Sequence, residues 1–178
     1  MDTFSTIVES CRRAIGSVDA DDREELIRKI MDCRKVFIYG SGRSGLAGQL
    51  FAVRLVQLGL DVHFVGEMTT PIIGPDDLCI LISNTGRTSS VVQTAVIARR
   101  IGSYVISVTG TDDCELCRNS DRSIVLDMSG TESVGDIAPL GTIFEDSTIL
   151  FFDCIVHDIM NLSGSTEDEM RGRHAIWV

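Results

Sequence analysis

The chain has 178 residues, 44% apolar and 24% charged, the size and balance of one globular domain with a sizeable core. Its 26 acidic and 16 basic residues give a net charge of −10, a surface that repels nucleic acid and anionic membranes. No apolar run approaches the roughly 20 residues that span a bilayer, and the chain starts on an amphipathic pattern rather than a leader, so a cytoplasmic location is expected.

In chain order, Phe4, Ile7, Val8, Cys11 and Ile15 recur at helical spacing, which predicts a helix over residues 2–16. A second is expected at about 21–31, with acids in its first turn. Residues 35–39 then read as a buried strand that stops at Gly40-Ser-Gly-Arg-Ser-Gly45. A helix follows to about Gly59, buried through Leu46, Phe51, Leu55 and Leu58, and residues 61–65 form a second strand. Residues 78–82 are a third strand, ended by Ser83-Asn-Thr-Gly-Arg-Thr88, and the next helix carries Val91, Val92, Ala95 and Ala98 to Gly102. A fourth strand covers 104–108, a short helix lies near 114–119, and a fifth strand covers 123–126. Pro139 suits a first helical position. The final long helix, about 140–160, is apolar on more than one face and so must be buried, within the domain or against another subunit. The last dozen residues are polar and read as a tail.

Strands alternating with helices predict one α/β domain over residues 1–178, with N-terminal helices (about 2–31), a parallel-sheet core (about 35–126) and a C-terminal helix and tail (about 139–178). Such sheets bind ligands beyond the carboxyl ends of their strands, where the strand order reverses. Strands one and three both end there in glycine- and hydroxyl-rich loops.

The strongest local signal is Ser83–Thr88. Three hydroxyls surround Gly86 between a strand and a helix, where unpaired N–H groups and the helix dipole favour an anion. An ordinary N-cap needs only one hydroxyl. Phosphate binding is therefore expected in this loop. Gly40–Gly45 matches the G-x-G-x-x-G dinucleotide fingerprint, and Glu67 lies near the distance at which an acidic residue would hold a ribose. A dinucleotide is thus an open alternative, although the chain leaves no room for a substrate domain. Ser41, Gly42, Arg43 and Ser44 suit a sugar hydroxyl or a phosphate equally well.

The six cysteines include one C-x-x-C pair, Cys114 and Cys117, without a second pair to complete a zinc site; reduced, buried thiols are expected. Only two lysines occur, Lys29 and Lys35, both before the glycine-rich loops, which disfavours Schiff-base chemistry. His63 and His157 have no motif around them and read as structural.

Several stretches together carry a wider resemblance: Phe37–Gly45, Val65-Gly-Glu-Met-Thr-Thr-Pro71, Ser83–Thr88, Ala138-Pro-Leu-Gly-Thr-Ile-Phe-Glu145 and Met170-Arg-Gly-Arg-His-Ala175. From about residue 3 to 175 the chain resembles the 6-phospho-3-hexuloisomerases of the sugar isomerase (SIS) domain family. The resemblance implies a three-layer αβα sandwich on a five-stranded parallel, flavodoxin-like sheet. It also implies interconversion of D-arabino-hex-3-ulose 6-phosphate and fructose 6-phosphate through an enediolate, without cofactor or metal. That reaction serves the ribulose monophosphate pathway and formaldehyde assimilation. Residue by residue, the resemblance places phosphate on Ser83, Thr85 and Thr88, with an amide from Asn84, and turns Ser41, Arg43 and Ser44 toward the sugar; Glu145 falls at the family's proton-transferring glutamate, and His174 is a second acid–base candidate that reaches a neighbouring subunit's site. Glu67, with Thr69 and Thr70, is placed along the pocket. A homotetramer is implied. Asn84-Thr85 stands where the family usually has Gly-Ser, and Arg87 where it usually has Glu. A non-catalytic sugar-phosphate sensor, or an isomerase of another sugar phosphate, fits the same domain.

Overall fold

The computed structural model describes residues 2–131 and 134–176. Two amphipathic helices lead, α1 (Thr3–Gly16) and α2 (Ala20–Asp32). Each is capped by the aspartate before it: Asp2 accepts from the Ser5 N–H at 2.9 Å, and Asp19 from the Asp21 N–H at 2.8 Å. Their apolar stripes deliver Ala14, Leu26 and Ile30 to the core, all fully buried.

The alternating part follows as β1 (Val36–Gly40), α3 (Gly42–Gln57), β2 (Val62–Phe64), β3 (Leu78–Ser83), α4 (Ser89–Ile101), β4 (Tyr104–Thr109), α5 (Glu115–Arg118) and β5 (Arg122–Val125). All five strands are parallel, in the order β2-β1-β3-β4-β5. β3 is buried at every position, as its uninterrupted apolar run requires of a central strand covered on both faces. One layer packs α1, α2, α3 and α6 (Thr142–Ser163) on the face that holds Ile38, Ile80, Ile82 and Val108. The other packs α4 and α5 on Phe37, Cys79, Leu81 and Val105. The fold is therefore a three-layer αβα sandwich.

Chain direction explains the split. From β1 the chain crosses to β2 on one side, and from β3 to β4 on the other. Right-handed crossovers in opposite directions put α3 and α4 on opposite faces. β1 and β3 are neighbours, with Gly40 in register with Ile82, so their following loops flank the crevice where the strand order reverses.

Helix α6 runs alongside α3 in the same direction: Arg43 meets Glu145 at one end, and the Phe51 and Phe152 rings stack at 4.0 Å further along. Element limits differ from the sequence reading by one to three residues, as fraying ends do. The C-terminal segment differs more. It is not an unstructured tail but contains α7 (Glu167–Gly172), started by a reciprocal capping box between Thr166 and Glu169 and anchored by buried Met170.

Candidate active site

Of the helices that begin at the carboxyl edge of the sheet, α5 is capped by Cys114, and α3, α4 and α6 have no side-chain cap. Ser41 stands at the N-cap of α3 and Thr88 at that of α4, yet neither hydroxyl bonds its own helix. Gly141 at the head of α6 has no side chain to offer. The positive ends of these helices thus lie at one edge of an otherwise acidic protein with no side chain capping them, although Val91, Thr142 and Phe144 already donate to the Thr88, Pro139 and Gly141 carbonyls.

The β3–α4 loop is the polar one. Ser83, at the strand end, is buried, and its hydroxyl lies 3.1 Å from the Thr88 hydroxyl across the turn. Gly86 has φ +59°, the left-handed region, and its N–H donates to the Ser83 carbonyl at 3.1 Å. A methyl group at Gly86 would collide with Cys114 Sγ. Cys114 is joined to Cys117 as a disulfide, with Cα atoms 5.2 Å apart, so the expectation of six reduced, buried thiols is corrected. Cysteines three apart at the start of a short helix lie close enough to bond. Cys154 is exposed, while burial pushes the Cys33 thiol up to about 11 and Cys79 up to about 12, which leaves both un-ionised at neutral pH. The Leu116 N–H donates to the Gly86 carbonyl at 2.9 Å, so the disulfide turn braces the loop from below. Thr85 and Arg87 are exposed, and the Arg87 guanidinium has no ion-pair partner among the described residues.

The β1–α3 loop is built on backbone contact. A Cβ at Gly45 would sit 2.5 Å from the Gly40 carbonyl oxygen, and one at Gly48 would sit 2.9 Å from Ile82. Only glycine lets the helix approach the strand so closely. Ser41, Gly42 and Arg43 are exposed above this crossing, and Ser44 is buried within it.

Glu145 occupies the first turn of α6, its side chain 15% exposed. Burial holds its carboxyl above the usual carboxylate range; Arg43 opposes that rise and Asp146 adds to it. Arg43 Nη2 lies 2.9 Å from Glu145 Oε2, an ion pair whose N–H is not aligned for a hydrogen bond. The same nitrogen donates instead to the Leu140 carbonyl. Leu140 has φ +58°, rare for a residue with a side chain, and is followed by Gly141 at φ +85°. Beside that turn, the Asn84 amide nitrogen lies 2.9 Å from where a Gly141 Cβ would project, and Glu145 Oε1 lies 3.8 Å from the same point. Asn84, Leu140 and Gly141 share the wall of a cavity of about 190 Å³.

The structure thus brings together Ser41–Ser44, Ser83–Thr88 and Glu145 from three separate loops. Two candidates lie apart. Glu67 is exposed beyond β2, lining a groove with Phe64, Arg173 and Ala175. His174 is exposed, and its ring faces the Ala175 carbonyl. The neighbouring Arg173 bonds the Gln57 carbonyl at 3.1 Å, at the end of α3 opposite the site. Within one chain, no hydrogen bond or ion pair among the described residues joins His174 to the two loops or to Glu145. His63 packs its ring on Phe37 at 5.5 Å, and His157 pairs with Asn161. The sequence reading missed Leu140, whose strained carbonyl receives Arg43, and the Cys114–Cys117 brace.

The site is thus a crevice at the switch point of a doubly wound sheet, lined by hydroxyls of the β3–α4 loop and by a poorly solvated carboxylate. Residues 29–153 match the SIS domain model, and the chain belongs to that family. It is 39% identical to the 3-hexulose-6-phosphate isomerase of Methanocaldococcus jannaschii over 85% of this chain and 81% of that one. It is 29% identical to the Bacillus subtilis 3-hexulose-6-phosphate isomerase over 95% and 94%. A crystal structure of a Methanococcus jannaschii protein, from which a molecular function of 3-hexulose-6-phosphate isomerase was inferred, superposes with a TM-score of 0.90 at 32% identity, covering 100% of both chains. No helix among the described residues is long and apolar enough to cross a membrane.

Proposed function

We propose that this chain is a sugar-phosphate isomerase that interconverts D-arabino-hex-3-ulose 6-phosphate and fructose 6-phosphate. The observation that carries this reading is the meeting of three uncapped helix starts with one half-buried glutamate. The hydroxyls of Ser83, Thr85 and Thr88, the Asn84 amide and the N–H groups after Gly86 receive the phosphate. Neutral donors suit a protein of net charge −10, because they act only at contact distance. Ser41, Gly42 and Ser44 face the sugar. Glu145 Oε1 takes the proton from C2 of the 3-ketose, which leaves an enediolate with its charge on the C3 oxygen; the C2 hydroxyl proton passes to that oxygen, and Glu145 returns its proton at C3, so that the carbonyl moves to C2. A carboxylate whose proton affinity is raised by burial is better matched to this task than a solvated one. Four relatives named 3-hexulose-6-phosphate isomerase, at 28–39% identity, support the substrate.

On this reading the enzyme is cytoplasmic and belongs to formaldehyde fixation through ribulose monophosphate, or to its reversal. It assembles as a homo-oligomer, in which His174 reaches a neighbour's site. Leu46, Leu50 and Val53, a stripe on α3 that is more than half exposed, supply an apolar face for such assembly.

The test is deuterium exchange from solvent into fructose 6-phosphate, followed by proton NMR. Wild-type protein exchanges the C3 proton and forms the 3-ketose. Glu145→Gln loses turnover by roughly 10²- to 10⁴-fold, as expected for a general base, while sugar phosphate still binds. Binding without any exchange by the wild type defeats the isomerase and leaves a sensor.

A further inference from the structure

Arg43 sits in a loop where the sequence places sugar ligands, but its guanidinium is already committed. It reaches across from α3 to α6 and meets two groups there: the Leu140 carbonyl, as a hydrogen-bond acceptor, and Glu145 Oε2, as an ion-pair partner at 2.9 Å. The two contacts differ in kind. The aligned N–H goes to the carbonyl, whereas Oε2 is buried and has no hydrogen-bond partner among the described residues. Oε1 of the same carboxylate is not enclosed in this way and points toward the Gly141 turn beside Asn84. The carboxylate is therefore held by one oxygen and open at the other.

The Leu140 contact adds a second constraint. Leu140 and Gly141 both have positive φ, and this turn sets where the first residues of α6 begin. Glu145 lies in that first turn, and its N–H donates to the Gly141 carbonyl at 3.3 Å. A guanidinium that grips the Leu140 carbonyl fixes the turn, and through the turn the backbone that carries Glu145. Both contacts are made by Nη2, which the rigid guanidinium plane holds in place and the flexible stem of a lysine ammonium does not.

We propose that Arg43 is a positioning residue for Glu145, gripping the Leu140 carbonyl and the inner oxygen of the carboxylate so that the outer oxygen is aimed at the substrate. Its place in the reaction rests on the isomerase reading above; its grip on the carboxylate does not. Arg43 from α3 and Asp146 on α6 itself are the charged groups that act on this carboxyl, while α1 and α2 bring none to it and Asn84 is neutral.

The experiment compares wild type, Arg43→Gln and Arg43→Lys by two readouts. The first is carbon-13 NMR titration of the Glu145 carboxyl, assigned by its loss in Glu145→Gln. The second is the pH dependence of kcat and KM with fructose 6-phosphate. In Arg43→Gln the Glu145 titration moves up in pH, because burial acts unopposed, and the acid limb of kcat moves with it. At neutral pH kcat falls about a hundredfold, the loss expected for a misplaced catalytic group, with KM little changed. Arg43→Lys keeps the charge without the rigid guanidinium plane, so its titration moves less while kcat still falls; it also carries the test if the glutamine variant does not fold. An unmoved Glu145 titration in the variants overturns the proposal. So does a rise in KM with kcat and its pH limb intact, which makes Arg43 a substrate ligand. If wild type shows no isomerase activity, the reaction assignment fails, and the carboxyl titration alone decides whether Arg43 holds Glu145.

Discussion

The helices of this protein begin in two ways. Away from the carboxyl edge of the sheet, α1, α2 and α7 are closed by their own side chains, Asp2, Asp19 and the Thr166–Glu169 box. At that edge, α3, α4 and α6 start on Ser41, Thr88 and Gly141 without any side-chain cap. Ser and Thr are good capping residues, and here they stand at the capping position without capping. Local stability is given up at three of the helix starts on this edge, while the fourth, α5, is capped by Cys114, whose sulfur accepts from the Cys117 N–H. Helix starts without a side-chain cap gathered at one place suit an anionic ligand, so the contrast singles out α3, α4 and α6.

The contrast can be broken at several points, and the largest effects are expected in the phosphate loop. Ser83→Ala removes a donor to a dianion, a bond worth about 1.5–3 kcal/mol, so KM for fructose 6-phosphate rises roughly 10- to 100-fold in steady-state kinetics with a smaller change in kcat. Next is the packed crossing. Gly45→Ala puts a methyl group against the Gly40 carbonyl and costs about 1–3 kcal/mol by denaturant unfolding. The corresponding change at Gly16, where a Cβ meets nothing within 4 Å, is neutral or stabilising. The smallest effect is the sharpest comparison. Asp19→Ala loses about 1 kcal/mol of stability and leaves kcat/KM unchanged, whereas Ser41→Ala leaves the unfolding midpoint unchanged and lowers kcat/KM. Equal stability losses in the two variants would show that Ser41 is an ordinary cap.

Most of the architecture is legible in the sequence for identifiable reasons. Leu78–Ser83 and Tyr104–Thr109 are strands covered on both faces, so they read as unbroken apolar runs between turn residues. The Ser83–Thr88 loop is legible because its chemistry is local: hydroxyls and a glycine within six residues. What is not legible depends on chain segments that meet only in the fold. Nothing near Arg43 in sequence announces Leu140 or Glu145, which lie about a hundred residues further on and meet it only in the fold. α7 is hidden for another reason. Its sequence is polar enough to read as a tail, and one buried methionine with a capping box is a faint signal. His174 looked like part of the site through its resemblance to a family motif; within one chain it stands apart from Glu145.

The crossing of β1 and α3 has a consequence for how such loops are recognised. Gly40 and Gly45 mark the points where strand and helix backbones come closest, while Gly42 between them is needed for its φ of +59° and meets nothing within 4 Å. The first and last glycines of G-x-G-x-x-G are therefore a statement about two backbones passing each other, and the middle one about a turn. The spelling is silent about what lies in the crevice above. Proteins with unrelated ligands can converge on the same glycines, because the crossing is a problem in solid geometry with few solutions. The letters that speak of the ligand are the ones between the glycines, and in this chain they are two serines and an arginine already engaged elsewhere.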